Sequence, residues 1–155
     1  MIEEKDKSVA ITGHRILGKN FDFIKLREEL ISLINKGNKF FYIGMALGFD
    51  TACFKTLLTL KSEYEIYLIA CIPCLGQSDK FNKKQKLDYI NMIDSADKVY
   101  FLQLDYDDYC MKKRNKFMVD KANNVFCYLN KSSGGTYFTV KYAVENNKNV
   151  IYFKN

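Results

Sequence analysis

Two stretches of this chain have the residue types best suited to holding an anion: Gly44-Met45-Ala46-Leu47-Gly48-Phe49-Asp50 and Ser132-Ser133-Gly134-Gly135-Thr136. Glycine lets backbone amides come close to a ligand. A helix that starts beside such a turn adds unpaired N–H donors and the positive end of its dipole. In the first stretch Gly44, Ala46, Gly48 and Asp50 are candidate ligand contacts, although Asp50 would equally suit a helix cap and the spacing is not the dinucleotide GxGxxG pattern. In the second, Ser133, Gly134, Gly135 and Thr136 add hydroxyl donors to another helix start. A third stretch, Thr12-Gly13-His14-Arg15, supplies a planar bidentate phosphate donor in Arg15. His14, the single histidine of the chain, suits a hydrogen bond or proton transfer near neutral pH.

Two further groups admit plain readings. Lys112, Lys113, Arg114 and Lys116 read as a solvated helix face, with Phe117 and Met118 packing inward. Cys71-Ile72-Pro73-Cys74 has redox spacing, but no second CxxC or histidine pair completes a metal set, and the motif ends an apolar run instead of opening a helix. Cys71 therefore reads as a buried thiol and Pro73 as the end of a strand. Neither a metal nor a cofactor is expected.

The elements that must position these groups alternate along the chain. Ser8 to Thr12, Lys39 to Ile43, Glu65 to Cys71, Lys98 to Leu102, Asn124 to Tyr128 and Asn149 to Phe153 read as buried strands. Phe21 to Asn35, Asp50 to Lys61, Asp79 to Ile93, Tyr109 to Ala122 and Thr136 to Glu145 carry apolar residues at helical spacing. In the first of these, Phe21, Ile24, Leu30, Ile31 and Ile34 are expected to share one face. Six strands and five helices with short links predict an α/β, Rossmann-like fold, a mainly parallel sheet with helices on both faces. All three candidate stretches follow strands, so they should meet in one crevice at the carboxyl edge of the sheet.

Composition sets the outer bounds. At 155 residues and 48% hydrophobic content the chain has the size of one domain, 1–155, and should bury roughly 70% of its unfolded surface. The formal net charge of +6 attracts polyanions, yet lysines are scattered throughout, which argues for a generally basic surface over a dedicated nucleic-acid face. Five cysteines in apolar surroundings, with no secretory leader ahead of them, read as the reduced thiols of a cytoplasmic protein. No apolar run approaches the ~20 residues of a membrane span.

Taken together, Ile11 to Arg15, Gly44 to Asp50, Ile72 to Gln77, Arg114-Asn115 with Met118-Val119-Asp120, and Gly134 to Thr136 with Val140 and Ala143 form a specific series over nearly the whole chain. In this the chain resembles the SLOG superfamily, the Rossmann-like group containing Lonely Guy phosphoribohydrolases and DNA-processing protein A, and especially its small YpsA-like branch. The resemblance implies binding of a nucleotide or nucleotide-derived ligand, with phosphates near the two glycine turns. It singles out Arg114 and Asn115 as ligand-site residues and implies a homo-oligomer. The Lonely Guy pattern Pro-Gly-Gly-x-Gly-Thr-x-x-Glu uses a glutamate one turn into the helix for N-glycosidic cleavage. Thr139 stands in that place here.

Three functions are therefore weighed. The first is a sensor or sequestering protein for a phosphate-bearing, nucleotide-derived small molecule such as an ADP-ribose-like signal. The second is a hydrolase or transferase acting on a nucleoside N-glycosidic bond, with Asp50 or Asp120 as its carboxylate. The third is single-stranded nucleic-acid binding, which would pair a basic groove with stacking aromatics. Binding of the small molecule is favoured, because phosphate-cradling turns are plentiful and an assembled acid/base pair is not.

Overall fold

The computed structural model describes residues 2–155. Six strands form one fully parallel sheet: β1 (Ser8–Gly13), β2 (Phe40–Ile43), β3 (Tyr67–Ile72), β4 (Lys98–Phe101), β5 (Asn124–Tyr128) and β6 (Asn149–Tyr152), in the spatial order β4-β3-β2-β1-β5-β6. The chain builds outward from β1 to β4, then returns to the other side of β1 for β5 and β6. That reversal lies between β1 and β5, whose register pairs Thr12 with Cys127 and Gly13 with Tyr128. In open α/β sheets the loops leaving the strands diverge at such a reversal and leave a crevice.

Alternation along the strands divides the core in two. Val9 and Ile11 of β1, with Phe41 and Ile43 of β2, face the layer of α1 (Phe23–Asn35), α2 (Phe49–Leu60) and α3 (Lys83–Ser95). Ala10 and Tyr42 face the opposite layer of α4 (Cys110–Lys121) and α5 (Gly135–Glu145). The expected Rossmann-like α/β architecture is thus present. Among the described residues no helix is long and apolar enough to cross a membrane.

Two local expectations change. Ile24 is 75% exposed, and α1 instead buries Leu26, Leu30 and Leu33. Those three recur at helical spacing, and Ile24, two residues before Leu26, is turned about 200° away from them. The third helix starts at Lys83 and not at Asp79, because Asn82 and Gln85 close a reciprocal capping box. Residues 76–81 consequently form a chain of turns (Gln77 N–H to Cys74 O, Asp79 N–H to Gly76 O, Phe81 N–H to Ser78 O) that walls a cavity described below.

Candidate functional site

The loops after β1, β2 and β5 enclose a cleft of about 680 Å³ at the sheet reversal. Twelve of the fourteen residues expected at the site line it: Thr12, Gly13, His14, Arg15, Ala46, Asp50, Arg114, Asn115, Ser133, Gly134, Gly135 and Thr136. Gly44 and Gly48 stand behind the wall. Met111, Tyr128, Asn130 and Lys131 line it as well, and their types gave no signal in the sequence.

The two glycines behind the wall make room for neighbours. A Cβ on Gly44 would come within 2.8 Å of the Arg114 guanidinium, and one on Gly48 within 2.3 Å of the Arg15 carbonyl oxygen. Gly48 also holds φ at 82°, in the region that favours glycine, and this lets the Phe49 N–H donate to the His14 carbonyl at 3.1 Å. The β1 loop and the start of α2 are therefore pressed backbone to backbone. Gly48→Ala should cost about 2–4 kcal/mol from the φ penalty and the overlap. Denaturant unfolding measures it, and an unchanged midpoint would mean that the His14–Arg15 backbone can yield.

Lys112, Lys113 and Lys116 form the expected solvated face of α4, and Arg114 alone departs from it. It is only 4% exposed, and its Nη1 donates to the carbonyl oxygens of Gly44 and Cys71 while Nε donates to Asn115 Oδ1 at 2.8 Å. Asn115 thereby orients the guanidinium. Gln77 Nε2 donates to the same Gly44 carbonyl at 2.9 Å, and Thr51 Oγ1 donates to the Ala46 carbonyl at 3.0 Å. These bonds hold a turn in which Met45, buried and bulky, has φ of 63°. Such backbone persists where the surroundings over-determine it, and it clusters at binding sites.

Asp50 lies one residue into α2 and does not cap it; Gly48 takes the cap position. Its Oδ2 accepts the Ala46 N–H at 3.1 Å, whereas the buried Oδ1 has no partner. Burial pushes the Asp50 carboxyl up to about 6, against the opposing pull of the Arg114 charge, the Ala46 N–H and the Arg15 charge. An acceptor this deeply buried and half-satisfied is open to a donor from a water or a bound molecule.

Across the cleft, α5 begins at Gly134 with no side-chain cap, and Gly134 holds φ at 95°. The left-handed position is thus Gly134; Gly135 has open space where a Cβ would stand. His14 Nε2 accepts the Asn130 N–H at 2.8 Å, which ties the β1 loop to the β5 loop. Burial, and then the Lys131 charge, hold the imidazole below its ordinary pKa. The neutral ring bonded in this way carries its proton on Nδ1, leaving a donor and no free base nitrogen.

The cysteines regroup. Cys71 and Cys74 face different neighbours, and the sulfur near Cys74 is that of Cys110 at 4.0 Å. All five thiols are buried and free, and among the described residues no cluster of three or more His, Cys, Asp or Glu side chains could hold a metal. No helix of the described chain places a carboxylate where Lonely Guy enzymes have theirs: Thr139 is buried and donates to the Gly135 carbonyl at 2.7 Å.

Known proteins resemble this chain in sequence or in fold. YoqJ, an uncharacterized SPbeta prophage-derived protein of Bacillus subtilis strain 168, is 29% identical over 144 residues, spanning 81% of this chain and 84% of its own. DNA processing protein A from Streptococcus pneumoniae superposes with a TM-score of 0.72 at 22% identity over 97% of this chain. The Helicobacter pylori protein of that name, whose structure concerns its unique single-stranded DNA binding mode, superposes at 0.69 with 15% identity. The present chain spans 51% and 66% of those two, and at such identities the likeness establishes a common fold. The model of the YspA SLOG family, named YpsA, matches residues 18–154, and the chain belongs to that family.

Proposed function

We propose that residues 2–155 act as one ligand-binding domain that senses or sequesters a phosphate-bearing nucleotide or nucleotide derivative. The observation that carries this reading is the pairing of two unlike walls in one cleft. On the α5 side are the uncapped helix start at Gly134-Gly135, Ser133 and Lys131, and Arg15 of the β1 loop adds a further cationic donor, all suited to an anion. Opposite is the orphaned acceptor of Asp50, suited to a sugar hydroxyl or an amino group. Binding is favoured over turnover because His14 has no free base nitrogen and Asp50 is the sole carboxylate among the lining residues. Self-association and a cytoplasmic setting belong to the same reading.

Gly135→Val is the clean probe, since the position has ordinary φ and open space, so the added side chain fills the cleft and spares the fold. Together with Arg15→Ala it should lower affinity about tenfold to a hundredfold, the range of a lost charge-assisted hydrogen bond. Calorimetry with the ligand retained through purification, or with ADP-ribose and mononucleotides, reads the effect. Unchanged affinity in both folded variants would sink the reading. Release of free base during incubation with a nucleotide panel would instead support hydrolysis.

A single-stranded nucleic-acid reading has one observation in its favour, the lysines of α4 beside aromatic rings, as DNA processing protein A binds such strands in the Helicobacter pylori case. Lys112 sits 4.9 Å over Phe138 and Lys116 5.4 Å over Tyr142, so these lysines already cover the ring faces that bases would stack on. A salt-dependent fluorescence titration decides it: no binding at low salt removes this option.

A further inference from the structure

A second cavity of about 400 Å³ opens beside the cleft, and the two meet at Arg15, Ala46 and Met111. Its wall is the chain of turns between β3 and α3, carrying Gln77 and Phe81, with Tyr106 from the β4–α4 connection at the mouth. We infer that this cavity takes the planar heterocycle of the ligand, a nucleobase packed against Tyr106 and Phe81 and read on its edge by Gln77. The inference rests on the reading of the cleft as a nucleotide-phosphate site.

Gln77 is what distinguishes this cavity from an accidental hollow. Its Nε2 donates to the Gly44 carbonyl at 2.9 Å and its Oε1 accepts the hydroxyl of the buried Tyr89 at 2.8 Å. A primary amide has two N–H donors and two acceptor lone pairs, so one of each remains, in the plane of the amide. A glutamine amide donor and acceptor are the groups that read a base edge. Because the bonds to Gly44 and Tyr89 already fix the side chain, little rotamer freedom is lost on binding.

The rings complete the set. Phe81 packs edge-on against Tyr89 at 5.7 Å between centroids, which holds its orientation, and Tyr106 is 67% exposed where a bound ring would cover it. One oriented amide and two aromatic side chains lining one cavity are the chemistry of a flat, hydrogen-bonding ring. Gln77 also bonds to the Gly44 turn that Arg114 grips, so occupation of the second cavity reports directly to the wall of the first.

The test titrates inorganic phosphate, ribose 5-phosphate and the four common nucleoside 5′-monophosphates into the protein and into Tyr106→Ala, a change at an exposed position that spares the core. At least one nucleotide should bind tenfold or more tighter than ribose 5-phosphate, and Tyr106→Ala should remove about tenfold of that preference while leaving ribose 5-phosphate unchanged. Gln77→Leu, checked by thermal melting, should erase the ranking among the four bases. The inference is overturned if no nucleotide outbinds ribose 5-phosphate, or if Tyr106→Ala weakens the sugar phosphate as much as the nucleotide. In that case, phosphate binding that still falls on Arg15→Ala leaves the cleft reading intact. If neither phosphate probe nor any nucleotide binds, both readings fall together.

Discussion

Arg114→Leu should destabilise the protein by about 3–5 kcal/mol near neutral pH, the usual consequence of deleting one member of a buried, hydrogen-bonded charge constellation. Leucine fills part of the slot that Gly44 leaves, but it offers nothing to the Cys71 carbonyl, and the Gly44 carbonyl keeps only Gln77. The larger effect falls on Asp50. Arg114 is the main charge offsetting the burial of that carboxyl, so its loss drives the Asp50 pKa further upward, and at neutral pH the buried carboxyl must take up a proton or stay ionised without its main counter-charge, each at a cost in stability. For a chain of this length the loss corresponds to a fall of roughly 6–20 °C in Tm. Arg114→Lys keeps the charge but not the fork of donors and should recover only part. Pairing Arg114→Leu with Asp50→Asn should give back more than the sum of the separate effects, because the two sites share one electrostatic environment. Scanning calorimetry of the single and double variants measures all of this. A melting point for Arg114→Leu within about 2 °C of the parent would show that the guanidinium is not what holds the turn.

The location of the cleft was largely legible in the sequence, and its construction was not. Strand periodicity and glycine-rich links put three loops at the carboxyl edge of a parallel sheet, and twelve of the expected residues do meet there. Arg114 could not be found by periodicity, since its slot exists only because Gly44, seventy positions away, lacks a side chain. Only the family resemblance marked it. The same blindness applies to Cys74, whose sulfur neighbour comes from α4 and not from its own CxxC. Backbone conformation was equally hidden: nothing in the composition of the two turns says that Met45 and Gly134, and not Gly135, take positive φ. Gln77 lies in the Ile72 to Gln77 stretch, but its place in the cavity wall depends on a helix that starts four residues later than apolar spacing suggests, leaving residues 76–81 free to form that wall.

Asp50→Asn should do the reverse of Arg114→Leu and stabilise the fold at neutral pH while weakening binding. The Asp50 carboxyl has its native pKa raised from 3.8 to about 6, so between those values the native state holds more protons than the unfolded one. Stability then falls as pH rises through this window, and the full cost is present above it. Two units correspond to about 3 kcal/mol. Asparagine keeps an oxygen for the Ala46 N–H and is nearly the same shape, so it removes this cost. Part of the gain is lost because Arg114 loses its counter-charge, leaving about 1–3 kcal/mol of net stabilisation at pH 7 to 8. Below pH 4 the parent carboxyl is protonated in both states and the two proteins should melt alike. Melting curves from pH 4 to 8 therefore should converge at the acid end and separate progressively toward pH 7. Parallel curves across that range would mean that Asp50 ionises at its ordinary pKa. Ligand affinity should move the other way, since a carboxylate oxygen left orphaned at a stability cost is of use only if a bound hydroxyl or amino group satisfies it.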